Sequence, residues 1–263
     1  MNGPPIAPLF VPGNRPERFA KAAASGADAV IIDLEDAVAP EEKERARQEA
    51  ASASLPGMTV LVRINASGTP WHAEDLAALA GASIQGIILP KAEDPATLAT
   101  LRALLPDGAV VVALIESALG LAGARTLARA AGRLAFGSMD FAADLGCAHT
   151  REALLMARQE LVLASRLAGL PAPIDGVTAA IGDDALTEAD GRHAAGLGFG
   201  GKLLIHPRQV APALRGFAPD ADEVAWARRV LGAGGDGAVK VDGMMIDAPV
   251  RVRAERILAR AGG

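Results

Sequence analysis

The sequence predicts an α/β protein, a (β/α)₈ TIM barrel carrying a C-terminal helical lid or arm. Three observations predict it. About eight short apolar runs alternate with helical stretches along the chain, too many for anything but a large sheet and enough to close one. The runs are rich in Val, Ile and Leu without polar alternation, as in parallel strands buried on both faces. The first run leads into Pro12-Gly13-Asn14-Arg15-Pro16, which is not the Gly-rich nucleotide fingerprint that a doubly wound open sheet, the runner-up, would carry there.

The elements follow in order. Residues 6–11 form an apolar run closed by a Pro-Gly-Asn turn, and 15–24 then read as a helix. A strand over 28–33 exits through Leu34-Glu35-Asp36, and Pro40 opens a charged helix. Strands at 59–64 and 86–89 precede helices at 72–79 and 95–104, and strands at 110–115 and 134–136 flank an Ala-rich helix at 119–130. A helix over 151–168, a weaker strand at 173–177, a helix at 184–195 and a strand at 201–205 complete the alternation. These elements assign residues 1–218 to a barrel domain. Residues 219–263 form an extension: a helix at 222–231, a Gly-rich hinge at 232–237, an apolar stretch at 239–252 and a last helix at 252–261, arranged as a lid or an arm onto another subunit.

Composition narrows the function. The chain is 51% hydrophobic, but charge interrupts every long apolar stretch, so no membrane span is expected. The amino end lacks a basic segment followed by an apolar one, and the cytoplasm is the expected location. A net charge of −5 gives no reason to expect nucleic acid, and the lone Cys147 can form neither an internal disulfide nor a thiolate zinc site.

In a barrel the carboxyl ends of all strands converge on one face, so their polar residues form one constellation: Asp33, Glu35, Asp36, Arg63, Lys91, Glu116, Asp140 and His206. Two neighbouring runs lead to an acid, residues 110–115 to Glu116 and 134–139 to Asp140. Such a pair supplies hard oxygen ligands for Mg²⁺, which takes one or two carboxylates and leaves its other positions to water and substrate. The competing reading makes each a helix cap or first-turn acid. Arg63, inside an apolar strand, requires an anion: Asp36 or Glu116, or a substrate carboxylate held bidentately. Asp33, Glu35 and Asp36 are expected to support a metal from behind or to pair with Arg15, Arg18 and Arg63. Lys91, with Glu93 nearby, reads as an ion pair or phosphate contact rather than a Schiff-base amine, and His206, before Pro207, as a helix cap rather than a base.

The chain carries Leu9-Phe10-Val11-Pro12-Gly13-Asn14-Arg15-Pro16, Ile32-Asp33-Leu34-Glu35-Asp36-Ala37-Val38, Arg63-Ile64-Asn65, Leu89-Pro90-Lys91-Ala92-Glu93, Ile115-Glu116, Gly137-Ser138-Met139-Asp140-Phe141-Ala142-Ala143-Asp144-Leu145-Gly146, Ile205-His206-Pro207 and, in the tail, Asp242-Gly243-Met244-Met245-Ile246-Asp247-Ala248-Pro249. In this order they resemble the motifs of the HpcH/HpaI aldolase/citrate lyase family, specifically its citrate lyase β-subunit-like CoA-ester lyases. The resemblance implies a (β/α)₈ barrel assembling as a homotrimer or hexamer, with Mg²⁺ held by Glu116 and Asp140. It implies a catalytic and substrate-binding Arg63, with Glu116, Asp36, Glu35 and Lys91 also on the substrate side, and a catalytic Asp247 delivered by the neighbouring subunit's lid. Ser138-Met139 and Phe141 depart from the family's usual residues, and Asp144 is a rival ligand. The implied activity is Mg²⁺-dependent cleavage or formation of a carbon–carbon bond in a 3-hydroxyacyl-CoA thioester (malyl-CoA, citramalyl-CoA or citryl-like), releasing a 2-oxo acid and acetyl-CoA. A pyruvate-enolate aldolase, a malyl-CoA thioesterase, a lyase subunit acting on an acyl-carrier-protein thioester and a non-catalytic scaffold are the alternatives.

Overall fold

The computed structural model describes residues 3–106, 108–233, 239–241 and 244–261. Eight parallel strands lie in sequence order: β1 (Pro8–Pro12), β2 (Ala29–Asp33), β3 (Thr59–Arg63), β4 (Gly86–Leu89), β5 (Val110–Ile115), β6 (Arg133–Phe136), β7 (Ile174–Asp175) and β8 (Gly201–Lys202). The sheet closes on itself. Leu204 bridges Leu9 in parallel, Phe10 donates its N–H to the Leu204 carbonyl at 2.8 Å, and Lys202 donates to the Ile6 carbonyl at 2.8 Å. An open doubly wound sheet would leave β1 and β8 unpaired, so closure decides for the barrel.

Burial explains why the strands read as continuous apolar runs. Alternate residues face the barrel axis, where Ile31, Leu61, Ile88, Val112, Leu114, Ala135, Ile174 and Leu203 fill the interior. The intervening residues, among them Val30, Ile32, Val62, Ile87 and Leu134, pack outward against the helices in a second, larger core. Both faces being covered, neither needs polar residues.

Several elements are shorter than the sequence reading, β7 among them, and three differ in kind or extent near the site. The helix expected over 119–130 is two helices, Ala118–Ala122 and Ala124–Ala130, meeting at Gly123. A helix the sequence did not announce, Ser138–Leu145, follows β6 directly and ends at Gly146, whose left-handed φ of 69° caps it. β8 spans only Gly201–Lys202, its expected continuation being reduced to the closing bridge.

Beyond the barrel, the Ala221–Gly232 and Ala248–Ala261 helices pack on each other around Ala227, Val230, Ile246, Ala254 and Ile257. Antiparallel β9 (Val239–Val241) and β10 (Met244–Ile246) lie between them in sequence. Most of the expected hinge, residues 234–237, and Asp242-Gly243 of the tail motif lie outside the described residues. No helix among the described residues is long and apolar enough to cross a membrane.

Candidate active site

The strand period builds the site. Ile31, Leu61, Leu114, Ala135 and Leu203 face the barrel axis, so the residues two positions on, Asp33, Arg63, Glu116, Gly137 and Ile205, face the same way at the carboxyl-terminal mouth. All five line a cavity of about 400 Å³, together with Phe10, Asp36, Ser138, Met139 and Asp140.

Parallel register sets Asp33 opposite Arg63 on the adjoining strand. Arg63 grips it bidentately, Nε and one Nη each donating at 2.7 Å, while the other Nη lies 3.1 Å from Glu35 and 3.6 Å from Asp36. Its guanidinium also covers the Phe10 ring at 4.9 Å. Burial works against its charge, but Asp33, then Glu35 and Asp36, outweigh it and hold the Arg63 pKa above its ordinary range. Asp33 is itself fixed by the Glu35 and Ala37 N–H groups, at 3.0 and 3.2 Å. The anion that Arg63 requires is therefore chiefly Asp33. Asp36 is a secondary partner, and Glu116 forms no ion pair with it among the described residues.

Glu35 links this pair to the next strand, accepting from the Lys91 ammonium at 3.1 Å. Its own pKa is raised, first by burial and then by Asp36, although Arg63 and Lys91 oppose the shift. Lys91 therefore makes the ion pair expected of it, but with Glu35; Glu93 instead accepts from the Ser117 hydroxyl. Lys91 adopts a left-handed φ of 48°, unusual for a side chain of its size, and in that conformation its N–H donates to Glu116 Oε1 at 2.7 Å.

Glu116 is 3% exposed, and its Oε2 is buried with no hydrogen-bond partner. Burial, then the charge of Glu35 and that of Asp140, pushes its carboxyl up to about 8 against the opposing Lys91 N–H. Gly137, beside it in register, leaves the space the carboxylate occupies, since a Cβ there would collide with Glu116. Asp140 lies exposed in the first turn of the Ser138–Leu145 helix. Five carboxylates (Asp33, Glu35, Asp36, Glu116, Asp140) thus surround two cations (Arg63, Lys91), and of the two buried carboxylate oxygens without a hydrogen bond, Glu35 Oε2 faces Arg63 at 3.1 Å while Glu116 Oε2 has neither hydrogen bond nor ion pair among the described residues. A divalent cation bound by oxygen fits this surplus. No group of three or more His, Cys, Asp or Glu side chains positioned for a metal occurs among the described residues, so water and substrate must supply the other ligands, as is usual for Mg²⁺.

Not every expected residue joins the site. Asp144 accepts from the Ala118 N–H at 2.7 Å, closing the start of another helix, and does not line the cavity. His206 accepts from the Arg208 N–H at 3.2 Å as a cap. Asp247 is exposed at the start of the Ala248–Ala261 helix, where it accepts from the Val250 N–H at 3.3 Å, and it does not line the cavity of its own chain.

The structure also reveals a polar cluster that the sequence reading missed, behind the β7–β8 wall. Arg158 donates to Asp175 at 2.8 Å, and Lys202, 1% exposed, donates to the Gly176 carbonyl at 2.5 Å with Asp175 3.6 Å away. His149 bonds the Ser138 hydroxyl at 2.9 Å, tying the cluster to the cavity lining. One signal was present in the sequence: Arg158 and Ser165 lie on the buried stripe of their helix with Leu154 and Leu161. A charge on a buried stripe implies a buried partner.

A closed barrel whose mouth holds an acid-rich, oxygen-donor cleft defines a class of α/β-barrel enzyme that works through a divalent cation. The sequence profile of HpcH/HpaI aldolase/citrate lyase matches residues 7–207. A citrate lyase subunit beta-like protein of Mycobacterium tuberculosis is 40% identical, covering 97% of this chain and 94% of that one. A (3S)-malyl-CoA thioesterase of Cereibacter sphaeroides is 34% identical, over 96% and 93% of the two chains. The solved structure of CitE from M. tuberculosis in complex with magnesium, acetoacetate and coenzyme A superimposes with a TM-score of 0.89 at 38% identity, covering 98% of each chain. The chain belongs to the HpcH/HpaI aldolase/citrate lyase family and is an enzyme of its citrate lyase β-like kind.

Proposed function

We propose that this chain is a Mg²⁺-dependent carbon–carbon lyase, running also as a synthase, on a 3-hydroxyacyl-CoA thioester of the malyl, citramalyl or citryl type, with a 2-oxo acid and acetyl-CoA as products. The buried, partnerless Oε2 of Glu116 in an acid surplus carries the reading. Two relatives support it, the CitE complex with magnesium, acetoacetate and coenzyme A and a citrate lyase β subunit from M. tuberculosis complexed with oxaloacetate and magnesium.

Glu116 and Asp140 would hold the Mg²⁺, which when bound supplies Lewis-acid polarisation and positive charge at the 2-oxo acid. Arg63, held in place by Asp33, faces the same cavity and offers guanidinium N–H groups to the substrate carboxylate and to oxygen charge developing at the broken bond. Glu35 and Lys91 orient these groups, Lys91 through its N–H to Glu116. In cleavage the hydroxyl loses its proton to solvent as its oxygen becomes the carbonyl of the 2-oxo acid, the electron pair of the breaking bond passes to the thioester α-carbon as an enolate, and that carbon takes up one proton, so the proton count is unchanged. Asp247 is the acid/base for the last step. Because it is exposed and away from its own cavity, it serves the neighbouring subunit of a trimer or hexamer through the C-terminal segment, residues 219–263, acting as a lid on the barrel of residues 1–218. The cytoplasm is the location this reading assigns.

The second reading, hydrolysis of the malyl thioester, is favoured by the thioesterase relatives. One assay separates the two: Mg²⁺, glyoxylate or pyruvate, and acetyl-CoA or propionyl-CoA, with products identified by mass. A condensed thioester is expected. Release of free CoA from malyl-CoA without glyoxylate moves the assignment to hydrolysis, and no reaction of either kind overturns both. Asp247→Ala is expected to retain Mg²⁺ and 2-oxo acid binding but to lose deuterium exchange at the acetyl-CoA methyl; unchanged exchange removes its role.

A further inference from the structure

A second, larger cleft of about 1180 Å³ lies at the opposite end of the barrel. Its walls include Ala172 and Pro173, which immediately precede β7, and Phe199 and Gly200, which immediately precede β8, so it opens at the amino-terminal ends of the strands. The catalytic cavity is at the carboxyl-terminal ends. Across this cleft stands the Ala248–Ala261 helix, contributing Arg253, Arg256, Ile257 and Arg260.

Charge and apolar surface are segregated within it. The rim carries Arg166, Arg192, Arg253, Arg256 and Arg260 against two acids, Asp220 and Glu223. Those acids are engaged elsewhere, each accepting the other's backbone N–H in a capping box. Arg192 pairs with Glu188, but Arg166, Arg253, Arg256 and Arg260 form no ion pair among the described residues; Arg253 lies over the Trp226 ring at 4.8 Å. The floor is apolar, with Leu170, Phe199 and Ile257. In the wall, the Ser165 hydroxyl is buried without a hydrogen-bond partner. Like-charged guanidinium groups converging on one cleft repel one another unless an anion lies between them, and their planar N–H pairs match phosphate oxygens. A floor of this kind suits an uncharged ring or chain.

We propose that this cleft is a second ligand site, taking an organic phosphate whose charged end is held by Arg166, Arg256 and Arg260 and whose apolar body rests on Phe199 and Leu170. It stands apart from the proposed lyase site and requires neither Mg²⁺ nor Glu116. Nucleotides and inorganic polyphosphate share the phosphate chemistry, and the floor favours the nucleotide.

The test is calorimetric titration of the full-length protein in EDTA with ADP and, separately, with inorganic tripolyphosphate. ADP is expected to bind, to weaken with added salt as phosphate–arginine contacts do, and to weaken at least tenfold in Arg256→Gln/Arg260→Gln, two exposed positions whose change leaves the fold intact by circular dichroism. Glu116→Ala should leave ADP binding unchanged. Arg166→Gln provides an independent variant from a different helix and should show the same loss. Tripolyphosphate binding more tightly than ADP would overturn the nucleotide assignment. Absent ADP binding, binding unaffected by all three arginine changes, or binding lost in Glu116→Ala would overturn the site. So would light scattering in which the arginine variants change oligomeric state without changing ADP affinity, since the cleft would then be a subunit contact.

Discussion

Charge gathers in two places in this barrel, with opposite balance. At the mouth, Asp33, Glu35, Asp36, Glu116 and Asp140 face only Arg63 and Lys91, and one oxygen of Glu116 is left without a partner. Behind the β7–β8 wall, Arg158 and Lys202 share Asp175, and the Lys202 ammonium satisfies itself on the Gly176 carbonyl. Burial pulls the Lys202 pKa below its ordinary range even though Asp175 and Asp190 oppose it. The wall cluster lies away from the cavity, and its surplus is cationic: Arg158 Nη1 is buried without a hydrogen-bond partner there. The mouth is open, acid-rich and incompletely bonded, which is the condition for binding something positive. Both networks are anchored by buried groups; only the mouth, open to the cavity and short of positive charge, reads as a site.

The largest effect is expected at the mouth. Glu116→Ala or Asp140→Ala should abolish Mg²⁺ binding by calorimetry and lower kcat/KM by about 10³-fold, the scale of losing a principal electrostatic stabiliser. Normal Mg²⁺ binding in both variants would erase the contrast. Arg63→Lys keeps the charge but loses the bidentate grip on Asp33, and a loss of about 10²-fold in kcat/KM is expected with the fold retained. In the wall the order of effects reverses. Lys202→Met leaves Asp175 with one cation fewer in a buried setting and should cost about 3 kcal/mol of stability by denaturant unfolding, with Mg²⁺ affinity unchanged. A shift in Mg²⁺ affinity would show that wall and mouth are coupled, through the contact of His149 with Ser138.

Smaller changes sharpen the same contrast. Gly137→Ala sets a methyl against Glu116 and should cost about 1–2 kcal/mol of stability while weakening Mg²⁺ binding, measured together on one sample. The weakest effect concerns pH. Burial, then neighbouring cations, holds the pKa of His149 and of His193 below the ordinary 6.5. As pH falls through that value the unfolded chain takes up more protons than the fold, so stability present above pH 6.5 is progressively lost below it. His149→Gln/His193→Gln should flatten the denaturation midpoint between about pH 7 and pH 5, and an unchanged slope would place the acid sensitivity elsewhere.

How legible each feature was depended on range. β2, β3 and β5 were readable because burial on both faces removes polar residues from the chain itself, and Glu116 was readable because it terminates such a run. Asp140 was read either as a strand-end acid or as a first-turn helix acid, and it lies in a helix's first turn; the Ser138–Leu145 helix is too short to show the apolar period that would have decided between the two. Asp33 was named as a possible partner of Arg63, but its bidentate geometry comes from strand register, which no local pattern encodes. The ion pair of Lys91 was expected but its partner was left open among several acids, since Glu93 is near in sequence whereas Glu35 is near in space.

The sequence by itself determined the alternation of strands and helices, the end of the barrel where polar residues gather, and the family. These depend on periodicity and on residues within a few positions of one another. Only the tertiary structure decided that the sheet closes between Leu9 and Leu204, that Glu116 has one oxygen unpaired, that Asp247 lies away from its own cavity, and that arginines from separate helices converge on a second cleft. Each of these is set by contacts between distant segments, through strand register and helix packing, and such contacts leave little trace in a local stretch of chain.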